Sequence, residues 1–221
     1  MIRVVVADDQ PLVRAGLTTL LNAEADIEVV GVAEDGLRAV ELARTLRPDV
    51  VCMDIRMPGQ DGITATRELC GPDVADPIPV LVLTTFDIDD YVFAALEAGA
   101  SGFLLKDSEP ATLIAATRSV AGGNGTLDDA LTKRVIKELV SRRRSAPVIA
   151  DRATALLTPR ELEILLQLAQ GLSNEQIAQA LVLEVTTVKS HLARITTKLG
   201  VQSRLQAAVW AYQNRIVEIP D

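Results

Sequence analysis

The sequence predicts two domains: an α/β domain of the (βα)5 type with a doubly wound parallel sheet, then a small all-α domain of four helices. Over the first 121 residues, short apolar runs alternate with segments of helical periodicity, as in a parallel sheet covered by helices on both faces. From residue 157 onward, helical segments follow one another without strand-like runs. The expected boundaries are 1–121 for the first domain, 122–156 for a partly helical linker and 157–221 for the second domain.

Five apolar runs rich in Val, Ile and Leu are the predicted strands, at 2–7, 27–33, 49–53, 78–84 and 101–105. Amphipathic segments supply the predicted helices of this domain, near 11–22, 36–47, 62–70, 89–98 and 110–121. Right-handed crossovers between parallel strands bring the carboxyl ends of all the strands to one edge of the sheet. Open α/β sheets bind their ligands at that edge.

The segment between the domains is expected to be part helix and part flexible chain. Gly122–Gly125 ends the first domain, and apolar residues at helical spacing from Leu127 to Val140 predict a helix. Ser141–Pro147 includes three consecutive arginines. Such a run is typical of a solvated linker, and contact with nucleic-acid phosphates is the alternative.

Capping signals mark the helices of the second domain. Thr158 with Glu161 forms a capping-box pattern, and Ser173 with Gln176 repeats it at the next helix. A last helix is expected at about 203–214. The residues predicted to face inward are Leu162, Leu165, Leu166 and Ala169 in the first helix, and Val188, Leu192, Ile195 and Leu199 in the third.

The composition predicts a soluble protein. Apolar residues make up 48% of the chain, but no uninterrupted run is long enough to span a bilayer. Two cysteines that form no CxxC pair, and one histidine, argue against a zinc site. We therefore expect a cytoplasmic protein without a membrane partner.

The net charge of −8 is unevenly distributed along the chain. Residues 1–125 contain 9 Lys and Arg against 20 Asp and Glu, a balance that disfavours contact between this domain and nucleic acid. The second domain is different, because every charged residue between Val185 and Val217 is basic. This basic stripe favours nucleic acid as the partner of the second domain.

Polar residues stand at the carboxyl ends of four predicted strands. They are Asp8 and Asp9 after the first, Asp54 after the third, Thr84 at the end of the fourth and Lys106 after the fifth. Three carboxylates on one edge repel one another unless a cation compensates them, and Mg²⁺ prefers carboxylate and phosphate oxygens. A hydroxyl and an ammonium can then bind the oxygens of a phosphoryl group, with one aspartate as its acceptor.

The first domain resembles the receiver (CheY-like) domain of bacterial response regulators over about residues 1–121. The resemblance rests on the segments VVVADD, VVCMDIRMPGQDG, VLVLTTFD and GASGFLLKD, and it implies that Asp54 accepts a phosphoryl group from a sensor histidine kinase. The implied site residues are Asp8, Asp9, Asp54 and the backbone carbonyl of Arg56 for Mg²⁺, with Thr84, Lys106 and Phe103 for phosphoryl contact and switching. Thr85 is the alternative to Thr84, but the spacing from Asp54 and Lys106 favours Thr84.

Two helices of the second domain match a helix-turn-helix. Segments near 173–181 and 186–199 are joined by a turn at 182–185, and in that motif the second helix enters the DNA major groove. On spacing alone, a solvated helix face in a protein-binding module remains an alternative. The outward face of the second helix carries Thr186, Ser190, Ala193 and Thr197, edged by the cations Lys189, Arg194 and Lys198.

The segment from Leu157 to Val209 resembles a LuxR-type helix-turn-helix over nearly its full length. With the receiver, this resemblance indicates the NarL/FixJ subfamily of response regulators. Two residues depart from the family pattern: Glu184 replaces the usual capping serine, and Ala193 replaces a polar or basic residue. The DNA contacts expected from the resemblance and the outward face together are Thr186, Thr187, Lys189, Ser190, Arg194, Lys198 and Arg204.

The two resemblances predict a phosphorylation-regulated transcription factor, not an enzyme, that binds double-stranded DNA as a homodimer. An aspartyl-phosphate phosphatase with Asp54 as nucleophile is the enzyme alternative. Phosphatases of the haloacid-dehalogenase type need a second aspartate two residues later, and Arg56 stands there. A constitutive DNA-binding regulator with a purely structural acidic site is the remaining alternative.

Overall fold

The computed structural model divides the chain into two compact units, Met1–Leu127 and Asp128–Asp221. It describes residues 1–84, 94–123, 126–127, 156–201, 203–214 and 216–217. Each unit encloses a hydrophobic core of its own. Within the described part of the chain, no helix is long and apolar enough to cross a membrane.

The first unit is built on a six-stranded parallel sheet with the order β2-β1-β3-β4-β5-β6. Its strands are β1 (Ile2–Ala7), β2 (Ile27–Ala33), β3 (Val50–Asp54), β4 (Val80–Thr84), β5 (Gly102–Leu105) and β6 (Thr126–Leu127). Its helices are α1 (Pro11–Asn22), α2 (Gly36–Leu46), α3 (Gly62–Cys70) and α4 (Pro110–Ala121), and residues 94–97 are also helical. The doubly wound α/β fold predicted from the alternating pattern is confirmed.

The order of the strands places β1 and β3 side by side within the sheet. The chain runs from β1 outward to β2 and then returns to β3 on the other side of β1. Ligands of open α/β sheets bind where the strand order reverses in this way. Ala7 and Met53 are paired across the two strands, so Asp8 and Asp54, which follow them, are neighbours at this point.

A sixth strand extends the sheet beyond the five predicted strands. Thr126 and Leu127 pair with Gly102 and Phe103 of β5, whereas the spacing of apolar residues assigns Leu127 to a linker helix. A strand of two residues is too short to show the alternation by which strands are recognised in a sequence. The rest of the expected linker helix lies outside the described residues, as does the first half of the helix expected at 89–98.

The second unit contains the expected four helices among its described residues, α5 (Pro159–Ala169), α6 (Asn174–Leu181), α7 (Val185–Leu199) and α8 (Arg204–Gln213). Both predicted capping boxes are present, at Thr158 with Glu161 and at Ser173 with Gln176. Their common core includes Ile164, Leu165, Leu168, Ile177, Val188, Leu192, Ile195, Ala207, Ala208 and Ala211.

The inward face of α5 differs from the prediction by one position. Ile164 and Leu168 are buried together with Leu165, whereas Leu162 and Leu166 are only half-buried. Because apolar residues crowd this helix, its periodicity fits more than one face. The same rotation buries Glu161, which is 3% exposed.

Candidate functional sites

The carboxylates predicted at the strand ends come together in the structure. Asp8 is fully buried and Asp54 is 5% exposed. Asp8, Asp9 and Asp54 each offer one carboxylate oxygen, and these oxygens lie within 4.8 Å of one another. The adjacency of β1 and β3 produces this cluster, because Asp8 follows one strand and Asp54 ends the other.

Lys106 bridges two of these carboxylates. Its Nζ lies 2.7 Å from Oδ2 of Asp8 and 2.9 Å from Oδ2 of Asp54. Burial disfavours the ammonium, but the Asp8 and Asp54 carboxylates outweigh this effect and raise the pKa of Lys106. The backbone N–H of Lys106 donates to the carbonyl of Thr84, which fixes the lysine beside the end of β4.

The environment of Asp54 is that of a partly desolvated carboxylate. Burial raises the pKa of Asp54 above its usual range, and the Lys106 ammonium opposes part of that effect. Its Oδ1 accepts a hydrogen bond of 2.8 Å from the backbone N–H of Ile55. One oxygen of Asp54 is therefore held by its own loop, and the other faces Lys106.

The loop that follows Asp54 is packed tightly against it. The N–H of Gly62 donates to the carbonyl of Ile55, 2.9 Å away. A Cβ atom at Gly62 would lie 1.8 Å from the carbonyl oxygen of Asp54, so only glycine fits at this position. This close approach turns the loop back onto the end of β3.

The other predicted receiver residues lie around this cluster. Thr84 is 6% exposed at the end of β4, between β3 and β5. Phe103 is fully buried in β5, where it pairs with Val82 of β4. Arg56 is exposed and lines an open depression with Asp9, Met57 and Asp61. Thr85, the alternative to Thr84, lies outside the described residues.

The donor atoms at this edge fit a hard divalent cation. Oδ1 of Asp9 is buried and has no hydrogen-bond partner among the described residues. An unpaired buried carboxylate oxygen is costly unless a cation compensates it. Mg²⁺ prefers a few carboxylate ligands together with water and phosphate oxygens. The site therefore suits Mg²⁺ beside a phosphoryl group.

Arg14 supports the acidic site and was not recognised from the sequence. Its Nη1 donates a hydrogen bond of 2.5 Å to the backbone carbonyl of Asp8. The arginine lies in the first turns of α1, and this bond ties the helix to the loop that carries Asp8 and Asp9. The only feature of the sequence that indicates this supporting role is the position of Arg14, one helical turn after Gln10.

The exposed face of α7 agrees with the face predicted for the helix-turn-helix. Val188, Leu192 and Ile195 are buried in the core of the second unit, and Thr187 is half-buried. The exposed residues of the helix include Thr186, Lys189, Ser190, Ala193, Arg194 and Thr197. Small neutral side chains edged by Lys189 and Arg194 thus form a continuous outward surface, and Lys198 near the end of the helix is also exposed, by 37%.

Two other cations expected at DNA are bonded within the second unit. Nζ of Lys198 lies 2.6 Å from Oε2 of Glu161. Arg204 donates from Nη2 to the carbonyl of Leu172 at 2.9 Å, and from Nη1 to Oδ1 of Asn174 at 3.3 Å. Burial lowers the pKa of the Arg204 guanidinium. Both cations therefore connect helices of the domain.

The start of α7 lacks a side-chain cap. Glu184 occupies the N-cap position with an extended backbone, but its side chain makes no capping hydrogen bond. In contrast, the hydroxyl groups of Thr158, Ser173 and Ser203 each accept a backbone N–H at the start of their helices. The weak cap expected from Glu184 is confirmed.

Two family models match the chain. The model of the response regulator receiver domain matches residues 4–118. The model of bacterial regulatory proteins of the luxR family matches residues 155–211. The chain is a response regulator.

Relatives match this chain over almost its whole length. The transcriptional regulatory protein LiaR of Bacillus subtilis (strain 168) is 42% identical over 217 residues, which cover 98% of this chain and all of LiaR. The oxygen regulatory protein NreC of Staphylococcus aureus (strain MRSA252) is 36% identical over 220 residues, covering 98% of this chain and 99% of NreC. These relatives place the response regulator in the NarL/FixJ subfamily.

Solved structures agree with this assignment. The response regulator ChrA of a heme-sensing two-component system is 43% identical, with a TM-score of 0.53 and 98% of each chain covered. RcsB from Salmonella enterica serovar Typhimurium, bound to a promoter in the presence of the phosphomimetic BeF3⁻, is 25% identical, with a TM-score of 0.56 over 98% of this chain and 99% of RcsB. The chain is thus a two-component response regulator that acts as a DNA-binding transcription factor.

Proposed function

We propose that Asp54 accepts a phosphoryl group from a sensor histidine kinase, and that its phosphorylation promotes homodimers that bind double-stranded DNA. The observation that carries this proposal is the position of Lys106, whose ammonium contacts Asp8 and Asp54 at a buried sheet edge. A carboxylate acceptor and a cation for phosphoryl oxygens are thereby held together. Such a regulator works in the cytoplasm, beside the DNA.

The transfer itself is a displacement at phosphorus. One carboxylate oxygen of Asp54 forms the new P–O bond while the P–N bond to the histidine of the kinase breaks, and the imidazole leaves with the electron pair. The Ile55 N–H fixes the orientation of the Asp54 carboxylate. Lys106 neutralises one phosphoryl oxygen and the Thr84 hydroxyl donates to another. Phosphoryl transfer depends mainly on such positioning and charge stabilisation.

Mg²⁺ is the proposed cofactor of this site. Asp8, Asp9, Asp54 and the backbone carbonyl of Arg56 would hold it, and the unpaired Oδ1 of Asp9 supports the assignment. When bound, the ion supplies positive charge that offsets the repulsion between the carboxylates and the incoming phosphoryl group.

The switch begins with Lys106. When Asp54 carries a phosphoryl group, the Lys106 ammonium moves to contact a phosphoryl oxygen. Its present contacts with Asp8 and Asp54 then rearrange. Thr84 moves toward the phosphoryl group, and Phe103 takes up a different rotamer in the space beside β4. Phosphorylation shifts the population of receiver conformations toward the form that dimerises.

The second unit presents the proposed DNA surface on α7. Thr186, Thr187, Lys189 and Ser190 lie at the start of the helix, which is the end that contacts base edges in a helix-turn-helix. Arg194 binds a phosphate at the flank, and Ala193 can contact a thymine methyl group. A symmetric dimer would place two such helices in half-sites about one helical turn apart.

Labelling by a small phosphodonor tests the acceptor. The full chain is treated with phosphoramidate and Mg²⁺, and its mass is compared with that of Asp54→Asn and of Asp73→Asn, an exposed aspartate outside the site. The parent and Asp73→Asn should gain one phosphoryl group, and Asp54→Asn should gain none. Labelling of Asp54→Asn at the parental rate would overturn the proposal.

A turnover assay with a phosphate ester separates the phosphatase alternative. An acceptor that stores a signal holds its phosphoryl group for longer than a catalytic cycle lasts. Arg56 stands where a phosphatase of the haloacid-dehalogenase type needs a second aspartate. Rapid, repeated turnover of an added phosphate ester would favour the phosphatase.

A further inference from the structure

Arg204 joins the start of α8 to the start of α6. Its guanidinium donates to the carbonyl of Leu172 and to the side-chain oxygen of Asn174. Between these two residues stands Ser173, the N-cap of α6. Asn174 is 5% exposed, and the hydrogen bonds of Arg204 to Leu172 and Asn174 are part-buried. The two hydrogen bonds of the Arg204 guanidinium thus fix the segment at which α6, the first helix of the helix-turn-helix, begins.

Lys198 makes a corresponding attachment at the other end of the motif. It lies in the last turn of α7, and its ammonium is 2.6 Å from the carboxylate of Glu161 near the start of α5. The same Glu161 oxygen accepts the backbone N–H of Thr158 at 2.8 Å. Lys198 holds the pKa of Glu161 down, to about 2, with help from that N–H.

We propose that Lys198 and Arg204 are positioning residues for DNA binding, which fix the helix-turn-helix within its domain, and that neither is a ligand of DNA phosphates. The inference rests on the proposed DNA surface of α7. Lys198 cannot turn to a phosphate without leaving a buried carboxylate uncompensated. Arg204 cannot do so without releasing two acceptors, one of them on the buried Asn174.

The salt dependence of DNA binding distinguishes the two roles. Each phosphate that a protein cation neutralises adds about 0.9 to the slope of log affinity against log salt concentration, because counterions are released. A cation that keeps its partner inside the protein releases none. Loss of a positioning residue should therefore lower the affinity equally at every salt concentration and leave the slope unchanged.

The test for Lys198 uses the full chain and a random-sequence DNA duplex. The double variant Glu161→Gln with Lys198→Met removes both charges together, and glutamine still serves in a capping box. We expect affinity to fall at least about threefold with a parallel salt dependence. A slope lower by about 0.9 would show that Lys198 binds a phosphate and would overturn the proposal.

The test for Arg204 uses two variants. Arg204→Met should weaken binding at all salt concentrations without a change in slope. Arg204→Lys keeps the positive charge but loses the two-nitrogen geometry of the guanidinium. This variant should therefore also bind DNA more weakly than the parent. Parental affinity of Arg204→Lys, or a slope lower by about 0.9 in Arg204→Met, would contradict the positioning role. If Arg204→Met does not fold by far-ultraviolet circular dichroism, Arg204→Lys decides the question.

Lys189→Met and Arg194→Met are the matched controls on the exposed face of α7. Each should lower the slope by about 0.9 if it removes a phosphate contact. Unchanged slopes in both controls would refute the proposed DNA surface and not the positioning roles. Lower slopes in the controls and in the Lys198 and Arg204 variants alike would refute the positioning roles alone.

Discussion

At the scale of single residues, the receiver site depends on one cation among several carboxylates. Lys106 is 11% exposed and contacts Asp8, whose carboxylate is inaccessible to solvent, as well as Asp54. Burying a carboxylate without a partner is costly, and two facing carboxylates also repel each other. The contact that supports the proposed phosphoacceptor role of Asp54 therefore also stabilises the folded receiver.

We expect Lys106→Met to destabilise the first unit by about 3 kcal/mol at neutral pH, because it leaves buried charge uncompensated. Hydrogen exchange of the β1 and β3 amides measures this loss in the full chain. Arg38→Met is the control, since Arg38 forms an exposed ion pair with Glu41 and its loss should cost less than about 0.5 kcal/mol. Equal exchange in the two variants would contradict the account.

Glu161 gives the second unit a pH dependence of its own. Lys198 lowers the pKa of Glu161 to about 2 from the usual 4.5. A lowered pKa means that the carboxylate stabilises the fold above pH 4.5, and that this contribution is lost as the pH falls toward 2. The urea midpoint of the parent should fall as the pH is lowered across that interval. The midpoint of Glu161→Gln should fall by less.

Trp210 is the natural probe for this titration. It is the only tryptophan in the chain and packs against the core of the second unit, so its fluorescence reports that unit alone. A parallel fall of the midpoint in parent and Glu161→Gln would show that other groups govern the acid response.

At the scale of secondary structure, the helices of the second unit differ in how they begin. Capping boxes close α5 and α6, whereas α7 begins at Glu184 without a side-chain cap. Unsatisfied N–H groups at a helix start weaken the first turn. That turn of α7 carries Thr186 and Thr187, which belong to the proposed DNA surface.

Replacing Glu184 with serine should stabilise the second unit by about 1 kcal/mol, because a serine at the N-cap accepts a backbone N–H of the first turn. Urea unfolding followed by Trp210 fluorescence measures the change. Thr158→Ala is the control of opposite sign, with an expected loss of about 1 kcal/mol. No gain in Glu184→Ser, together with the expected loss in Thr158→Ala, would contradict the weak cap.

The sequence predicts those features that depend on short-range pattern. Apolar strands followed by Asp8, Asp54 and Lys106 indicate the site, because parallel connections bring strand ends to one edge. Other features depend on contacts between distant segments. The pairing of Lys198 with Glu161, 37 residues away in the chain, has no signal in periodicity, and long cationic side chains reach partners in several directions.

Short elements and segments crowded with apolar residues also limit what can be predicted from the sequence. The strand at Thr126 and Leu127 follows from its pairing with β5, and two residues alone show no alternation. In α5, isoleucine and leucine stand on adjacent faces, so that Leu162 and Leu166 are as plausible in the core as Ile164 and Leu168. Packing against the other helices decides between them.

At the scale of the whole molecule, an acidic receiver unit is joined to a unit that carries the proposed DNA surface. Residues 1–125 carry 20 acidic and 9 basic side chains, so the first unit is repelled by DNA. In the proposed function, phosphorylation therefore occurs on one unit of the chain and DNA binding on the other. We propose that the phosphoryl group on Asp54 controls the DNA affinity of the full chain.

The most direct test measures the affinity of the full chain for a duplex selected from a random pool, with and without phosphoramidate and Mg²⁺. The parent should bind at least about tenfold more tightly after phosphorylation and sediment as a dimer. Asp54→Asn should show no response to the phosphodonor. Equal DNA affinity of the parent in both conditions, or a full response of Asp54→Asn, would contradict the account.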